Sequence, residues 1–358
     1  MAERDHIFGG RYRLGPRLGG GGFGQVHRGT HRVTHRPCAI KLLRCAGCEQ
    51  TLRRFIRESQ IAARVVSDHV AAILDAGVHE GTPFIVMEPP EGEDLRHRIE
   101  RRGALPRNEA LLFLSHVARG LEAAHAAGVV HRDLKPSNMF LTSTEDGRPR
   151  VKILDFGVAK LLAGNADETT VAAGTPLFMA PEQFTNAATT TAVDVYAFGM
   201  SAFAMLTGHN YYEREHVESV NPFALGALLV HGPPERASSR AARYGVDLEP
   251  SFDGWFSRCT YRDPVGRFSS AAESIAELLA VVGMSPHALE SVEVQTIPPG
   301  APSDRRLETV ALAPARDATQ RTGRRWVTAA AFAAGTILAL RALRSPPPEV
   351  AELRLAPV

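Results

Sequence analysis

The spacing of apolar residues changes once along this chain of 358 residues, and the change limits the folds open to it. Up to about residue 90, short apolar and β-branched runs end at Gly, Pro or charged residues, a pattern typical of strands. From about residue 93 the apolar residues recur at helical spacing. A strand-rich part followed by a helix-rich part predicts an α+β fold. The predicted strands are Tyr12–Leu18, Gln25–Thr30, Cys38–Leu43, Ala71–Gly77 and Thr82–Met87.

Three segments are predicted to be helices. Thr51–Val66 carries apolar residues at helical spacing and lies between the third and fourth predicted strands. Glu109–Ala127 has an apolar stripe and stops at Gly128, a residue type that commonly terminates helices. Ala192–Thr207 is almost entirely apolar, so we expect a buried helix that ends at Gly208.

The composition changes again after residue 282. Residues 283–325 hold Pro, Ser, Thr, Ala and Arg with little periodicity, which predicts a linker, and the tail 344–358 is too short to fold alone. Residues 326–343 are mostly apolar but near the lower length limit for crossing a bilayer, so a single membrane-spanning helix and an amphipathic or buried helix both stay open. The first ten residues carry charges of both signs and do not resemble a secretory signal. The folded domain is predicted to cover 11–282.

Composition excludes several classes of protein. With 44% hydrophobic and 22% charged residues the chain is not disordered as a whole, and a net charge of +2 is too small for a body that binds nucleic acid. Four cysteines exclude a disulfide-built scaffold. Cys45 and Cys48 form a lone Cys-x-x-Cys pair without a second pair to complete a zinc site. Two ordinary loop cysteines in a reducing cytoplasm and a redox or metal role therefore both stay open.

A glycine-rich run joins the first two predicted strands. Gly19-Gly-Gly-Gly-Phe-Gly-Gln-Val26 fits G-x-G-x-x-G-x-V, in which glycines let backbone N–H groups approach phosphate oxygens closely. The run does not open a helix, which disfavours a dinucleotide-binding turn, but a simple turn stays open. Lys41 on the next strand and Glu58 on the following helix could form an ion pair that holds Lys41 against phosphates. Taken alone, a solvated lysine on the strand and a surface charge on the helix both stay open.

Two stretches in the helix-rich part carry separable chemical groups. His131-Arg-Asp-Leu-Lys-Pro-Ser-Asn138 offers a carboxylate at Asp133 that can accept a hydroxyl proton, an ammonium at Lys135 and an amide oxygen that can bind a hard cation. Asp155-Phe-Gly157, after a predicted strand at Val151–Leu154, supplies a second oxygen ligand. Each stretch alone could be a turn, but all the motifs in this order are not expected by chance.

In this combination the motifs resemble those of the protein kinases, specifically the eukaryotic-type (Hanks-type) serine/threonine kinases of bacteria. The resemblance covers residues 11–282. It implies a two-lobed fold, with a β-rich lobe with one main helix at about 11–88, a helical lobe at about 93–282, and ATP in the cleft between them. It also implies transfer of the γ-phosphoryl group of Mg-ATP to Ser or Thr hydroxyls of protein substrates.

The resemblance also implies a role for each motif residue. The catalytic set would be Asp133 as base, Lys135 on the γ-phosphate, Lys41 on the α- and β-phosphates, and Thr175 bridging to Asp133 and Lys135. Asn138 and Asp155 would hold Mg²⁺, with Mn²⁺ as a substitute. The residues implied to contact or orient the nucleotide are Leu18, Gly19, Gly21, Phe23, Gly24, Val26, Ala39, Lys41, Glu58, Glu88, Pro90, Asp94, Asn138 and Asp155.

Lysine usage supports these assignments. Lysine occurs only at positions 41, 135, 152 and 160, and the other 37 basic residues are Arg. A chain that so strongly prefers Arg is expected to keep Lys mainly where an ammonium is needed. Two of the four lysines fall on positions that the resemblance assigns to phosphate contacts.

Several supporting roles also follow from the resemblance. Glu182 and Arg267 would form a buried structural pair, and Asp194 would support the backbone of the catalytic loop. Phosphate on Thr169 or Thr170 could pair with Arg132 and order the segment that contains them. Such modification could occur between two copies of the chain, and the apolar segment 326–343 could anchor a cytoplasmic kinase domain to a membrane.

One position departs from the family pattern. Glu88 would offer its carbonyl to the adenine amine, but Pro90 stands where a backbone N–H normally meets the adenine ring, and proline has none. We therefore expect weaker nucleotide binding rather than loss of catalysis. A pseudokinase scaffold and a small-molecule phosphotransferase of similar fold are the alternatives. The intact catalytic residues disfavour the first alternative, and the segment Gly174-Thr175 with Ala180-Pro-Glu182 disfavours the second.

Overall fold

The computed structural model describes residues 7–21, 24–44, 49–156, 176–185, 188–219, 222–289 and 291–295. Several predictions fall outside these ranges and are not tested by the structure. They concern Phe23, Cys45, Cys48, Thr169, Thr170, Thr175, the apolar segment 326–343, the tail 344–358 and the linker beyond residue 295.

The N-terminal part is one antiparallel sheet of six strands in the order β1-β2-β3-β4-β6-β5. Each of the five predicted strands is confirmed, with ends that shift by a few residues. The additional strand, β1, is only two residues long and so has no sequence period to detect. The strands are β1 (Ile7–Phe8), β2 (Tyr12–Gly21), β3 (Gly24–His31), β4 (Pro37–Leu43), β5 (Ile73–His79) and β6 (Thr82–Met87).

Gly24 shows why glycine is required where β3 begins beside β4. Its φ of 152° lies in a region that residues with a side chain rarely adopt. A Cβ at this position would lie only 2.0 Å from the carbonyl oxygen of Leu42. The close approach keeps the glycine-rich run in register with the strand that carries Lys41.

Helix α1 (Glu49–Ala62) follows β4 and packs on β5 through a buried face. Phe55, Ser59 and Ala62 are its buried residues. The helix ends four residues before the predicted limit at Val66, because the backbone N–H groups of Arg64 and Val65 close tight turns onto Ile61 and Ala62. The two β-branched residues at positions 65 and 66 also favour helix less than the residues before them.

The C-terminal part is mostly helical around a small antiparallel sheet of three strands, in the order β7-β8-β9. Its central helices are confirmed close to their predicted limits, and Gly128 and Gly208 follow them with φ of 76° and 79°. The strands are β7 (Glu93–Asp94), β8 (Met139–Ser143) and β9 (Pro149–Ile153). The helices are α2 (Leu95–Arg102), α3 (Arg107–Ala126), α4 (Ala192–Thr207), α5 (Glu213–Glu218), α6 (Pro222–Leu229), α7 (Ala237–Ala242), α8 (Ser251–Cys259), α9 (Ala271–Val281) and α10 (Pro286–Leu289).

Helix α4 is the centre of the helical core, with nearly every side chain buried as its composition predicts. The predicted pair beside it is also confirmed. Arg267 donates two hydrogen bonds of 2.7 Å to the two carboxylate oxygens of Glu182, and both side chains are buried. Arg267 also donates to the carbonyl of Ala192 at the start of α4, at 2.8 Å. The pair thereby fixes the turn at Pro181–Phe184 against the core.

The packed part extends beyond the predicted limit at residue 282. Helix α10 forms within the predicted linker, and its Leu289 is buried in the helical core. Arg98 on α2 donates a hydrogen bond of 3.1 Å to the carbonyl of Gln295. The linker prediction failed for these residues because isolated apolar side chains such as Leu289 show no period. Among the described residues, no helix is long and apolar enough to span a bilayer.

Candidate active site

Helix α4 holds the backbone of the loop that carries Asp133. Asp194 is fully buried near the start of that helix. One carboxylate oxygen accepts the backbone N–H of His131 and the other accepts that of Arg132, each at 2.8 Å. His125 on α3 donates a third hydrogen bond to Asp194, at 2.8 Å. The predicted support of the loop backbone by Asp194 is confirmed.

Two residues of the site hold a strained backbone. Arg132 and Asp155 have φ of 63° and 59°, a left-handed conformation that costs a residue with a side chain roughly 1–2 kcal/mol. Such strain persists only where the surroundings fix it. At Arg132 the carbonyl accepts a 2.9 Å hydrogen bond from the side chain of Gln183, while the amide is held by Asp194.

His131 joins the two loops, a role that the sequence reasoning did not assign. Its Nδ1 accepts the backbone N–H of Asp133 at 3.2 Å, so Nε2 carries the proton and donates it to the carbonyl of Leu154 at 2.9 Å. The ring also lies 5.0 Å from that of Phe156, centroid to centroid. Complete burial lowers the pKa of His131, so the ring stays neutral. Its place at the head of the motif was the one available signal.

Two ion pairs lie within the candidate active site. The ammonium of Lys41 lies 2.9 Å from a carboxylate oxygen of Asp155, and that of Lys135 lies 3.0 Å from one of Asp133. Asn138 donates to the carbonyl of Asp133 at 2.8 Å and to its carboxylate at 3.2 Å. The structure therefore brings together residues from β4, from the loop after α3 and from the loop after β9.

The strand register adds the glycine-rich run to this set. Gly19 on β2 pairs with Val26 on β3, which in turn pairs with Lys41 on β4. These three residues thus lie in one row across three adjacent strands. Leu18 and Gly21 lie on β2, Gly24 on β3 and Ala39 on β4, within the same part of the sheet.

Glu58 is not part of this set in the structure. It is half-buried on α1, and among the ion pairs of the described residues none joins it to Lys41. The ammonium of Lys41 contacts Asp155 instead. Whether Lys41 meets Glu58 depends on where α1 sits relative to the sheet, which local sequence does not encode.

The segment between the two parts is fixed by an ion pair that the sequence reasoning missed. Lys152 on β9 lies 2.6 Å from a carboxylate oxygen of Glu88, and the other oxygen accepts the backbone N–H of Ala72 at 3.4 Å. The amide of Glu88 donates to the carbonyl of Ala72 at 2.9 Å. The scarcity of lysine in the chain was the signal that could have singled out Lys152.

Asp94, which the resemblance implies contacts the nucleotide, begins α2 as its N-cap. One carboxylate oxygen accepts the backbone N–H of His97 at 3.0 Å, and the other lies 2.6 Å from Nδ1 of the same residue. Asp94 is buried. Pro90 is half-buried between β6 and β7. Its missing backbone N–H is predicted to weaken nucleotide binding.

The oxygen atoms at this site suit a hard divalent cation. Because the amide nitrogen of Asn138 donates to Asp133, its amide oxygen is the atom left to bind a metal. Asp155 supplies carboxylate oxygens next to the ammonium of Lys41. An amide oxygen and a carboxylate are ligand types that Mg²⁺ and Mn²⁺ prefer, so the residues present fit such an ion.

A six-stranded sheet, a helical part and two charged loops between them define the architecture of a protein kinase. Residues 12–276 match the sequence model of the family described as "Protein kinase domain", which covers most of the chain. The chain belongs to the protein kinase family, and the resemblance identified from the motifs is confirmed, as is the expected fold.

Curated relatives and a solved structure agree with this assignment. The chain is 33% identical over 274 residues to the serine/threonine-protein kinase PknL of Mycobacterium tuberculosis, over 76% of this chain and 65% of PknL. It is 40% identical over 263 residues to PknK of the same species, over 73% of this chain and 23% of PknK. The chain therefore spans less than two thirds of either relative. The crystal structure of the M. tuberculosis PknI kinase domain superposes with a TM-score of 0.61 at 26% identity, over 78% of this chain and all of that one.

Proposed function

We propose that this protein is a serine/threonine protein kinase that transfers the γ-phosphoryl group of Mg-ATP to hydroxyls of protein substrates. The observation that carries the proposal is the contact set around Asp133. Its carboxylate meets the ammonium of Lys135 and the amide of Asn138, on a loop whose backbone is held by Asp194. Family membership and the names of the relatives support the same activity.

The proposed reaction uses each of these groups once. Asp133 accepts the proton of the substrate hydroxyl, whose oxygen forms a bond to the γ-phosphorus as the bond to the β-phosphate oxygen breaks. Lys135, held 3.0 Å from Asp133, neutralises negative charge on the group in transfer. Lys41 binds the α- and β-phosphates, and ADP leaves. The hydrogen bonds to Asp194 keep the loop in place throughout, so little reorganisation is required.

Asn138 and Asp155 would hold the divalent ion, for which we propose Mg²⁺. When bound, such an ion neutralises phosphate charge. The protein supplies the two oxygen ligands, and Lys41 keeps Asp155 oriented beside them. Mn²⁺ prefers the same oxygen ligands and should substitute for Mg²⁺.

The remaining elements of the proposal concern regulation and place. Phosphate on Thr169 or Thr170, added by a second copy of the chain, would pair with Arg132 and thereby act on the strained loop before Asp133. The apolar segment 326–343 would anchor a cytoplasmic kinase domain to a membrane. Both elements would serve signalling in a bacterial cell.

Transfer of radiolabelled phosphate from ATP tests the activity directly. We expect labelling of a generic basic protein on Ser and Thr but not on Tyr, and an Asp133→Asn variant should lose at least about 100-fold in rate. Asp146→Asn, an exposed carboxylate on the β8–β9 turn, is the matched control and should retain full activity.

Both Mg²⁺ and Mn²⁺ should be supplied, each in turn. If wild type and Asp133→Asn label the substrate equally or not at all with either ion, the protein is a pseudokinase scaffold and the proposal fails. Label that appears only on small-molecule hydroxyls would instead assign a small-molecule phosphotransferase.

A further inference from the structure

A cavity lies in the helical part, and no residue of the candidate active site lines it. It has a volume of about 720 Å³ and forms where α3, α9 and the β8–β9 hairpin meet. Cavities of this size are typical of small-molecule sites. Its lining contains no residue predicted to contact the nucleotide, so it is a separate feature of the fold.

Two stacked histidines belong to the polar part of the lining. The rings of His69 and His116 are 4.5 Å apart, centroid to centroid, and 19° from parallel. Both are fixed on the backbone of Val151 in β9. Nδ1 of His69 lies 3.0 Å from the Val151 carbonyl oxygen, to which it donates, and Nδ1 of His116 accepts the Val151 N–H at 3.4 Å.

These contacts determine where each ring carries its proton. Nε2 of His116 must hold the proton, because Nδ1 accepts, and this N–H has no hydrogen-bond partner among the described residues. Burial lowers the pKa of His116 to about 3 and lowers that of His69, so both rings are neutral. The nine-tenths-buried His116 therefore offers the cavity a fixed donor.

Two guanidinium groups, those of Arg119 and Arg150, lie near the histidine pair. The charges of Arg119 and Arg150 both contribute to the lowered pKa of each imidazole, so both lie close to the pair. Arg150 also lies 3.5 Å from Asp68, whereas Arg119 forms no ion pair with any residue that the structure describes. The carboxylate of Glu122, also in the lining, accepts the backbone N–H of Ala272 at 3.3 Å.

The lining also has an apolar part, beside the polar residues Ser115, Thr144 and Arg148. Leu112 on α3, Ile275 and Leu279 on α9, and Leu289 on α10 contribute buried aliphatic side chains. An apolar cavity with a few convergent polar groups suits a ligand whose body is apolar and whose one end is polar. Arg119 is exposed on α3, and its guanidinium forms no ion pair with a described residue, whereas His116 is buried. Both groups are donors, so the polar end of the ligand should be an anionic acceptor.

We infer that this cavity binds a small monocarboxylate with an apolar body, its carboxylate on Arg119 and His116 and its body on the aliphatic lining. The charge of the site disfavours the apolar segment 326–343 of this chain as the occupant, because Arg324, Arg325, Arg341 and Arg344 flank or lie within it. The inference is independent of the activity proposed above.

Three matched probes test the inference by isothermal titration calorimetry on the full chain. They are 4-phenylbutyrate, 4-phenylbutan-1-ol and 4-phenylbutylamine, which share one apolar body and differ in the charge of the end group. We expect 4-phenylbutyrate to bind one to one, at least about tenfold more tightly than the other two probes. Saturating ADP should not displace it.

Variants distinguish this site from any other. Arg119→Gln should lower the affinity for 4-phenylbutyrate about tenfold. Arg214→Gln, which removes the same charge from exposed α5, should leave the affinity unchanged. Ala276→Trp fills the cavity from an exposed position on α9 and should abolish binding without lowering the thermal midpoint. The inference is overturned if no probe binds, if the alcohol or amine binds as tightly, if ADP displaces the acid, or if Arg119→Gln and Ala276→Trp bind like wild type.

Discussion

At the scale of single residues, Lys152 and Glu88 show how the chain uses one of its few ammonium groups. The pair joins β9, which leads to Asp155, to the segment that follows β6. Its two side chains are 22% and 38% exposed, so solvent weakens their attraction. The pair therefore contributes only about 0.5–1 kcal/mol to the free energy of unfolding. The pair is therefore expected to position the segment after β6, which is predicted to contact the nucleotide, more than it stabilises the fold.

Loss of this pair should be visible in nucleotide affinity. Lys152→Met is expected to raise KM for ATP about two- to fivefold with little change in kcat, since the catalytic loop is untouched. Lys152→Arg keeps a cation within reach of Glu88 and should restore most of the affinity. Steady-state kinetics with varied ATP measures both variants, and an unchanged KM in Lys152→Met would show that the pair does not position the segment.

Pro90 makes a second prediction at this scale. Pro90→Ala supplies the backbone N–H that proline lacks and should tighten nucleotide binding by up to about tenfold, the equivalent of one neutral hydrogen bond. Pro89→Ala is the matched control, because no hydrogen bond is expected from the N–H at that position. If calorimetry with ADP shows no tightening in Pro90→Ala, the assignment of this segment to the adenine contact is wrong.

At the scale of elements, the buried pair of Glu182 and Arg267 joins segments that are far apart in sequence. Arg267 donates to the Glu182 carboxylate, and also to the carbonyls of Ala192 and Tyr261, both at 2.8 Å. One guanidinium thus connects the turn at Pro181–Phe184, the start of α4 and the end of α8. Removal of either partner would leave an uncompensated buried charge.

We expect Arg267→Met to lower the free energy of unfolding by about 3–5 kcal/mol. Urea unfolding measures the loss, and Arg53→Met, which removes one partner of the exposed pair with Glu49, should cost less than about 1 kcal/mol. The double variant Glu182→Leu with Arg267→Met should recover a large part of the loss, because no buried charge is then left alone. A cost for Arg267→Met no larger than that for Arg53→Met would contradict this account.

What could be predicted from the sequence depends on the length and regularity of each element. Helix α4 was predicted to its observed limits because it is apolar throughout and is followed by Gly208. Strands β1 and β7, each of two residues, carry no period and were missed. Helix α1 was predicted too long because its apolar spacing continues past the point where the chain turns.

Residues of the candidate active site also differ in how far the sequence could predict them. The motifs identified Asp133, Asn138 and Asp155 because the groups that catalysis needs are close together in sequence. The structural roles of Asp194 and of Glu182 with Arg267 came from the family resemblance, since their partners are more than fifty residues away. The contacts of Lys41 with Asp155 and of Lys152 with Glu88 arise only when separate elements pack, so no local pattern reveals them.

At the scale of the whole molecule, buried neutral histidines make stability depend on pH. His69, His116 and His131 all have lowered pKa values because burial disfavours their charged forms. The unfolded chain exposes these rings to water and protonates them at their ordinary pKa. Acid therefore favours the unfolded state.

For His116 the window runs from its ordinary pKa of 6.5 down to about 3. In this range the unfolded state binds a proton that the folded state does not. The contribution of neutral His116 to the free energy of unfolding is therefore fully present above pH 6.5 and is lost as the pH falls. By pH 5 the loss is about 2 kcal/mol. His116→Gln should remove that part of the slope in urea unfolding at pH 7, 6 and 5, whereas His216→Gln, at an exposed position, should keep it. Parallel slopes for His116→Gln and wild type would refute the assignment.

The left-handed backbone at Arg132 carries a consequence for how the protein fails. The backbone at Arg132 is strained, and its hydrogen bond to Asp194 keeps it in that conformation. Loss of the Asp194 carboxylate would leave the N–H groups of His131 and Arg132 without acceptors, and the strained loop would relax away from its present geometry. Because Asp194 is fully buried, the same loss would also lower the free energy of unfolding, so the geometry of the site and the stability of the fold would decline together.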